Sequence, residues 1–449
     1  MKAVKQVLGN NLQKYTMVLA MIVLAIFFQW KSDGKMLTAS NLQNLVIGNA
    51  YVLIMALGML MVIVIGQIDL SVGSVAGFVG MSVSLLATNH GVNWVLAVLA
   101  GMAMAIAIGA WHGFWLSKVG IPGFITTLAG MMIFRGLVIW MSGSISVAAP
   151  PELEWFGAGY LPEWGPDTGM NNSTLLLGLL ACAWFVWSGL RSRQQTLKRG
   201  GEAPMGALLI RLALVCATIL YLTWVFGTGR PGTSFPIPGV ILLVLVVIYY
   251  IITERTRFGR HVYAVGGNKA AAALSGVNTA RTYFLVMLNM SFLAGLAGIL
   301  FLGRSTAAGP SDGNSWELDV IAAVFIGGAA VSGGIGTVMG SMIGGLVMAV
   351  LNSGLMLMGV GQDKTSVIKG LVLLAAVAFD VYNKQQGRPS LIGRLTAGKP
   401  RAGEPAAVAA AAAAGDTVPA AGGPAVTADD TMPTSNPGIG PGPHRKESP

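Results

Sequence analysis

The sequence predicts an all-α polytopic membrane protein with about 10–12 transmembrane helices, and three observations support this prediction. Of the 449 residues, 54% are hydrophobic and only 10% are charged, whereas a soluble domain carries about 25% charged residues. Apolar stretches of about 20 residues, the length that crosses a bilayer, recur along most of the chain. Most Lys and Arg lie in the short segments between them, as in membrane proteins. One membrane domain therefore replaces the roughly three soluble domains that length alone suggests.

The membrane-crossing elements follow one another from residue 15 to residue 382. We predict spans at 15–30, 44–66, 71–88, 93–116, 122–142, 173–190, 208–226, 238–253, 283–303, 318–333, 337–358 and 365–382. The boundaries at 66–71 and 330–337 and the short span 238–253 are the weakest. Ten or eleven full crossings plus a broken or re-entrant helix are the alternative.

These spans divide the chain into three parts. We predict an N-terminus at 1–14, a transmembrane domain at 15–385 that contains a polar segment at 254–282, and a tail at 386–449. From about residue 403 the tail is rich in Ala, Pro and Gly and has no aromatic residue, so it is expected to be disordered.

Basic residues predict the orientation of the spans. With the N-terminus inside, 21 of the 28 Lys and Arg fall on the cytoplasmic side, six fall outside, and Arg135 lies within a span. Both termini are therefore predicted to be cytoplasmic. The outer loop 143–172 has no Lys or Arg and contains Trp155, Phe156, Tyr160 and Trp164. These aromatics suit interfacial anchoring, and a contact surface for a soluble ligand carrier is the alternative.

The chain lacks the motifs of an enzyme. There is no Gly-x-x-x-x-Gly-Lys-Ser/Thr loop for a nucleotide. The four His are isolated, and Cys182 and Cys216 have no partner at metal-ligand spacing. We therefore expect no catalytic residue, no metal site and no cofactor bound by this chain. The net charge of +10 reflects the cytoplasmic basic loops, and no nucleic-acid-binding motif accompanies it.

Active transport by such a chain needs an external source of energy. Either a partner supplies ATP, or an ion gradient drives the solute. Ion-coupled transporters usually bury carboxylates that bind and release the ion. Here the acidic residues avoid the centres of the spans, which disfavours proton coupling.

The segment 256–278 interrupts the apolar pattern with a polar sequence suited to protein docking. Its basic residues flank the inner membrane surface, where anionic headgroups attract them. Gly266 and Gly267 give backbone freedom, Asn268 is an N-cap for a slim Ala-rich helix, and Gly276 ends that helix. The candidate docking residues are Arg257, Gly259, Arg260, Gly266, Gly267, Asn268, Ala271, Leu274 and Gly276. An ordinary amphipathic surface loop is the alternative interpretation.

Polar residues within the spans are candidates for a solute path, since a sugar needs hydrogen-bonding groups beside apolar surfaces. They are Asp69, Ser71, Thr126, Thr127, Arg135, Asn289 and Asn352. Hydrogen bonds between packed helices explain most of them equally well. Two Gly-containing segments, 66–73 and 328–334, resemble each other distantly and lie at weak span boundaries. An internal repeat with broken helices near a binding site would produce this pattern.

Five stretches, in order, resemble the membrane permeases of ribose/xylose-type ATP-binding-cassette (ABC) importers. They are Gly66-Gln67-Ile68-Asp69-Leu70-Ser71-Val72-Gly73, Ile121-Pro122-Gly123-Phe124-Ile125-Thr126-Thr127-Leu128, Phe134-Arg135-Gly136-Leu137, 256–278 and 327–340. The extra material at about 170–235 is similar to that of the xylose or multiple-monosaccharide members. Gln67 and Gly123 depart from the usual Gly and Pro of the family.

The resemblance implies a pore subunit in the bacterial inner membrane that imports a monosaccharide. It implies two copies of the permease, separate ATPase subunits that bind ATP and magnesium and dock on 256–278, and a periplasmic sugar-binding protein. An ion-coupled secondary transporter of a small polar solute is the alternative function, and a membrane scaffold without transport is a third.

Overall fold

The computed structural model describes residues 12–166, 168–200, 204–229 and 232–385. The predicted tail 386–449 and most of the predicted N-terminus 1–14 lie outside this part of the chain. The α-helices are α1 Leu12–Lys31, α2 Ala39–Val64, α3 Val72–Ser84, α4 Trp94–Phe114, α5 Gly123–Ser142, α6 Glu154–Ala158, α7 Asn172–Lys198, α8 Met205–Gly227, α9 Ile237–Arg255, α10 Arg257–Gly267, α11 Lys269–Leu274, α12 Thr279–Ser305, α13 Trp316–Ile326, α14 Val338–Leu357 and α15 Gln362–Gln385.

Short irregular elements complete the described chain. π-helical turns at Leu85–Asn89 and Trp115–Val119 extend α3 and α4, and a 3₁₀ turn at Pro151–Leu153 precedes α6. Strands β1 Val147–Ala148 and β2 Ala307–Ala308 pair antiparallel, with Val147 opposite Ala308. In the described part of the chain, nine helical segments are long and apolar enough to cross a membrane. The prediction of an all-α polytopic membrane protein is confirmed, with one pair of two-residue strands.

Helix α2 forms the centre of the bundle. Every residue from 52 to 65 is buried, as expected for a helix that is hydrophobic all round and surrounded by protein. Helices α3, α9, α12, α13 and α14 pack around it or around one another. Small residues allow the close approaches: a Cβ on Gly298 of α12 would overlap the backbone of Ala76 in α3. This is the small-residue packing that replaces hydrophobic burial inside membranes.

Helices α7 and α8 form a hairpin at the edge of this bundle, in the region predicted as extra material at about 170–235. They pack on each other, but no residue in the most apolar 18-residue stretch of α8 is buried. Its outward side chains are large and apolar, for example Leu214 at 66% exposure. Such a surface suits lipid.

The predicted span 318–333 is wrong as a continuous helix. Helix α13 ends at Ile326 after 11 residues, and residues 327–337 are non-helical until α14 begins at Val338. A second interruption, at 65–71, separates α2 from α3. Both lie where the sequence indicated weak boundaries, so the alternative with a broken helix fits better than twelve complete crossings. We call 65–71 the first break and 327–337 the second break.

Candidate coupling segment and the two helix breaks

The polar segment 256–278 folds into two short helices at one end of the bundle. Thr256 caps α10: its Oγ1 accepts a hydrogen bond from the backbone N–H of Gly259 at 3.1 Å. Gly259 is needed because a Cβ there would overlap carbonyl oxygens at the end of α9. Val262 and Val265 are buried in the core, whereas Arg260 is exposed. Helix α10 therefore lies with one face on the bundle and its basic face free.

Helix α11 has the caps that the sequence predicts. The side chain of Asn268 accepts a hydrogen bond from the N–H of Ala271 at 2.9 Å, and Gly276 follows the helix with φ of +82°, the left-handed conformation that ends many helices. Ala272 is buried and Ala271 is exposed. Leu274 is 91% exposed. A leucine presented to solvent on a short capped helix has no role in the core, and it is available to a partner.

The two adjacent glycines have different surroundings from those expected. Gly267 was predicted to give backbone freedom, but it is the last residue of α10, is absent from the positive-φ residues, and a Cβ there meets nothing within 4 Å. Gly266 is the constrained position. A Cβ on it would overlap the carbonyl oxygen of Val64 and lie 2.8 Å from the amide nitrogen of Gly334.

The end of α10 thus contacts the second break and the end of α2, immediately before the first break. The backbone N–H of Gly334, in the second break, donates to the carbonyl of Val64, at the end of α2, at 2.8 Å. The hydroxyl of Tyr263 in α10 donates to the carbonyl of Gly336, also at 2.8 Å. We call this meeting point of Val64, Tyr263, Gly266, Gly334 and Gly336 the junction. It brings three separate parts of the sequence into backbone contact.

The first break also contains the first two path candidates. Asp69 and Ser71 are 1% and 0% exposed. Oδ1 of Asp69 accepts hydrogen bonds from the N–H of Ser71 at 2.8 Å and from its hydroxyl at 2.6 Å, whereas Oδ2 is buried without a partner. The hydroxyl of Thr127, in the first turns of α5, accepts from the N–H of Leu70 at 3.1 Å. These bonds fix the break against α5.

Arg135 lies in a separate cleft further along α5. The cleft has a volume of about 280 Å³ and is lined by Ser74, Arg135, Val138, Ile139, Ser144, Pro310, Ser311, Asp312 and Asn314. One Nη of Arg135 is buried and makes no hydrogen bond, and the same is true of Oε2 of Glu317. The N–H of Gly309 donates to Asp312 at 2.7 Å. The cleft offers a cation, a carboxylate and hydroxyls beside apolar side chains.

The remaining path candidates make other contacts. Thr126 is buried, and its hydroxyl donates to the carbonyl of Pro122 at 3.3 Å. Asn289 accepts a hydrogen bond from the hydroxyl of Tyr249, which joins α12 to α9. Asn352 in α14 has a buried Oδ1 without a partner. The structure therefore brings Asp69, Ser71 and Thr127 together, and places Asn289 and Asn352 outside this group.

Several residues of these sites were not predicted. Tyr263 lies inside the predicted docking segment, but its partner Gly336 is 73 residues away, so no local pattern indicates the bond. Asp312 follows Gly309 and Pro310 in a turn-rich stretch that reads as an ordinary loop. Gln67 was noted only as a departure, yet its Oε1 accepts from the N–H of Gly123 at 2.8 Å. The two unusual residues therefore bond to each other.

The described residues contain no group of three or more His, Cys, Asp or Glu that could hold a metal ion. The fold and the site define a class: a polytopic helical membrane protein with broken central helices and an exposed helix pair at one end. The chain belongs to the permease family described as branched-chain amino acid transport system / permease component, which matches residues 41–377. It is a multi-pass transport permease and not an enzyme.

Curated relatives cover most of the chain. It is 36% identical to the xylose transport system permease protein XylH of Escherichia coli K12, over 84% of this chain and 93% of that protein. The corresponding protein of Haemophilus influenzae is 33% identical over 84% and 98%. The ribose import permease protein RbsC of E. coli K12 is 32% identical over 78% and 87%. The predicted resemblance is confirmed. No solved structure matches the chain.

Proposed function

We propose that this chain is the membrane-spanning permease subunit of an ABC importer for a monosaccharide, either xylose-like or one of several sugars. The names of the xylose and ribose relatives support the substrate class. Because the chain has no nucleotide-binding loop, ATP and magnesium bind to a separate ATPase subunit. The observation that carries the proposal is the exposed helix pair α10–α11, which is anchored where both breaks meet.

The exposed side of α10–α11 is the docking surface for that ATPase. Leu274, at 91% exposure, is the apolar anchor, and the exposed Arg257 and Arg260 are the basic rim. A partner groove with an apolar pocket and acidic edges complements this arrangement, because buried anchors supply affinity and charges at the rim supply orientation. Lys269 lies over the ring of Tyr283 at 5.2 Å, which holds α11 against α12.

The sugar path includes the cleft at Arg135 and the first break. The cleft volume of about 280 Å³ is near the lower end of ligand pockets, roughly 300–1,000 Å³. Arg135 donates to sugar hydroxyls, Asp312 accepts from them, and Val138 and Ile139 offer apolar surface to the ring. Asp69 retains one free carboxylate oxygen in the break.

The complete importer contains further partners. A periplasmic sugar-binding protein delivers the sugar to the outer face, where the loop 143–172 lies. The permease works as a pair of copies in lipid of the bacterial inner membrane, with both termini cytoplasmic. The distribution of basic residues supports this orientation. Exposed apolar side chains on α5, such as Met132 at 69% and Trp140 at 78%, suit contact with lipid or the second copy.

The energy source is tested by transport in proteoliposomes. The permease is reconstituted with an ABC ATPase and a periplasmic sugar-binding protein from the same organism, and uptake of radiolabelled D-xylose and D-ribose is measured. We expect uptake with internal ATP alone and none with a sodium or proton gradient alone. Uptake driven by a gradient without ATP would instead identify an ion-coupled secondary transporter.

The docking surface is tested by co-purification of the ATPase with Ala271→Glu and Ala271→Ser permeases. Glu is larger and adds a negative charge to an exposed position, so it obstructs the partner groove. Ser keeps the side chain small and is the matched control. We expect Ala271→Glu to insert into the membrane but to lose the ATPase and sugar uptake. Parental binding and uptake in Ala271→Glu would show that α11 is not the docking element.

A further inference from the structure

We infer that Tyr263 and Gly266 are positioning residues that connect the ATPase-docking helices to both helix breaks, so that a displacement of α10 moves the two breaks together. The inference rests on the proposed function. It adds the residues through which the docked ATPase acts on the membrane core.

The first contact is between backbones. Gly266 lies so close to Val64 that a Cβ would overlap its carbonyl oxygen, and the N–H of Gly334 donates to that same carbonyl at 2.8 Å. A Cβ on Gly334 would in turn lie 2.8 Å from Cα of Gly267. No flexible side chain separates the three segments. Since closely packed interiors transmit displacement with little compression, a shift of α10 reaches the end of α2 and the second break directly.

The second contact is the hydrogen bond from Tyr263 to Gly336 at 2.8 Å. Burial, with a smaller contribution from the charge of Glu254, raises the pKa of Tyr263 to about 12. The phenol is therefore protonated at every physiological pH, and it keeps its donor. The buried neighbours Val262 and Val265 hold α10 in place, so the hydroxyl is fixed relative to the bundle.

Each break passes the displacement to a long helix. Thr337 follows Gly336 and caps α14, because its Oγ1 accepts from the N–H of Gly340 at 3.0 Å. The first break leads through the Asp69–Ser71 hydrogen bonds into α3, and Gln67 connects it to the start of α5. The junction is therefore connected to α3, α5 and α14. Helix α5 carries Arg135 of the proposed sugar path.

The test compares Gly266→Ala with Gly206→Ala, a control at a glycine of α8 where a Cβ also meets open space. Each permease is purified with its ATPase and reconstituted with the binding protein and D-xylose. We expect both variants to retain the ATPase. For Gly266→Ala, sugar imported per ATP hydrolysed should fall roughly tenfold, equivalent to ~1.4 kcal/mol of lost coupling. Gly206→Ala should keep the parental ratio.

A second readout reports the motion itself. Ser332 is exposed in the second break, and Ser332→Cys is introduced after replacement of Cys182 and Cys216 by Ser. Its reaction rate with a maleimide is compared between the nucleotide-free and vanadate-trapped complexes. We expect the rate to differ between these states in the parent and in Gly206→Ala, and to be the same in both states in Gly266→Ala.

A further variant covers the case in which Gly266→Ala does not accumulate in the membrane. Tyr263→Phe removes only the hydroxyl, and it too should lower sugar imported per ATP while retaining the ATPase. The inference alone is overturned if Gly266→Ala and Tyr263→Phe retain the ATPase and keep both the parental ratio of sugar to ATP and the parental Ser332→Cys response. Failure of the parent permease to bind an ATPase overturns the proposed function together with it.

Discussion

At Leu274, an effect of substitution on partner binding can be distinguished from an effect on folding. At 91% exposure Leu274 contributes little to the core, so Leu274→Ala should change the free energy of unfolding by no more than about 0.5 kcal/mol. As an anchor in a partner groove it should matter more. We expect the amount of co-purified ATPase to fall roughly tenfold, since an interface anchor contributes about 1–2 kcal/mol or more.

Leu197→Ala is the matched control, because Leu197 is also an exposed leucine, at 45%, near the end of α7. It should bind the ATPase as the parent does. Equal retention of the ATPase by the two variants would remove Leu274 from the docking surface. A large loss of thermal stability in Leu274→Ala alone would instead show that its side chain packs within the permease.

At Arg135, inside the membrane, a role in transport can likewise be distinguished from a role in folding. A cation within a span is costly unless it faces a polar cavity, and one Nη of Arg135 is buried without a hydrogen bond. We expect Arg135→Leu to insert normally and to lower D-xylose uptake roughly tenfold or more, because a hydrogen bond to a charged group contributes about 1.5–3 kcal/mol. Arg135→Lys, which keeps the charge, should recover part of the uptake. Full uptake by Arg135→Leu would make this residue a dispensable anchor.

At the scale of whole elements, the sequence predicts the long helices well and the breaks poorly. Helix α2 and helix α12 are continuous apolar segments, and composition alone indicates them. The span predicted at 318–333 ends early because Gly327 lies against the backbone of α14 and Gly328 has a φ of +86°. Hydropathy is insensitive to both. The second break depends on contacts with Val64, far away in the sequence, so local patterns give only its approximate place.

The candidate sites show the same division. Asn268 and Gly276 could be predicted as caps because capping depends on neighbouring residues. Gly266 differs from Gly267 only through its tertiary contacts, and the partner of Tyr263 is 73 residues away, so the sequence does not reveal the importance of either residue. Asp312 has a similar explanation: it lines the cleft because its loop packs on α3, where a Cβ on Gly77 would overlap its carbonyl oxygen.

The stability of helix α11 as a whole should determine how well the ATPase binds. The helix has only six residues, and helices this short depend on their caps and on packing. Asn268→Ala removes the N-cap, which typically costs about 1 kcal/mol. We expect weaker ATPase co-purification with little change in thermal stability, because α11 is at the edge of the bundle. Asn268→Asp restores a capping oxygen and should restore binding. Weak binding by both variants would mean that the amide itself contacts the partner.

At the scale of the whole molecule, the proposed docking helices and the loop 143–172 lie at opposite ends of one long helix. Helix α12 has 27 residues, about 40 Å at 1.5 Å per residue, which is enough to cross a bilayer. It begins beside α11 and ends at β2, which pairs with β1 of the loop 143–172. The docking helices and that loop therefore lie at opposite ends of one membrane-spanning helix. Whichever face holds the ATPase, the loop must lie on the other face.

This arrangement predicts the outcome of cysteine labelling in a permease whose Cys182 and Cys216 are replaced by Ser. Gly157 is unsuitable as a probe, because a Cβ there would overlap the backbone of Gly303 and Arg304. Glu152, in the loop, and Gln195, near the end of α7, are both exposed. We expect an impermeant maleimide to label Glu152→Cys in intact cells and Gln195→Cys only after permeabilisation, since cytoplasmic segments carry most of the basic residues. The reverse result would invert the topology and put the docking helices on the face that ATP does not reach.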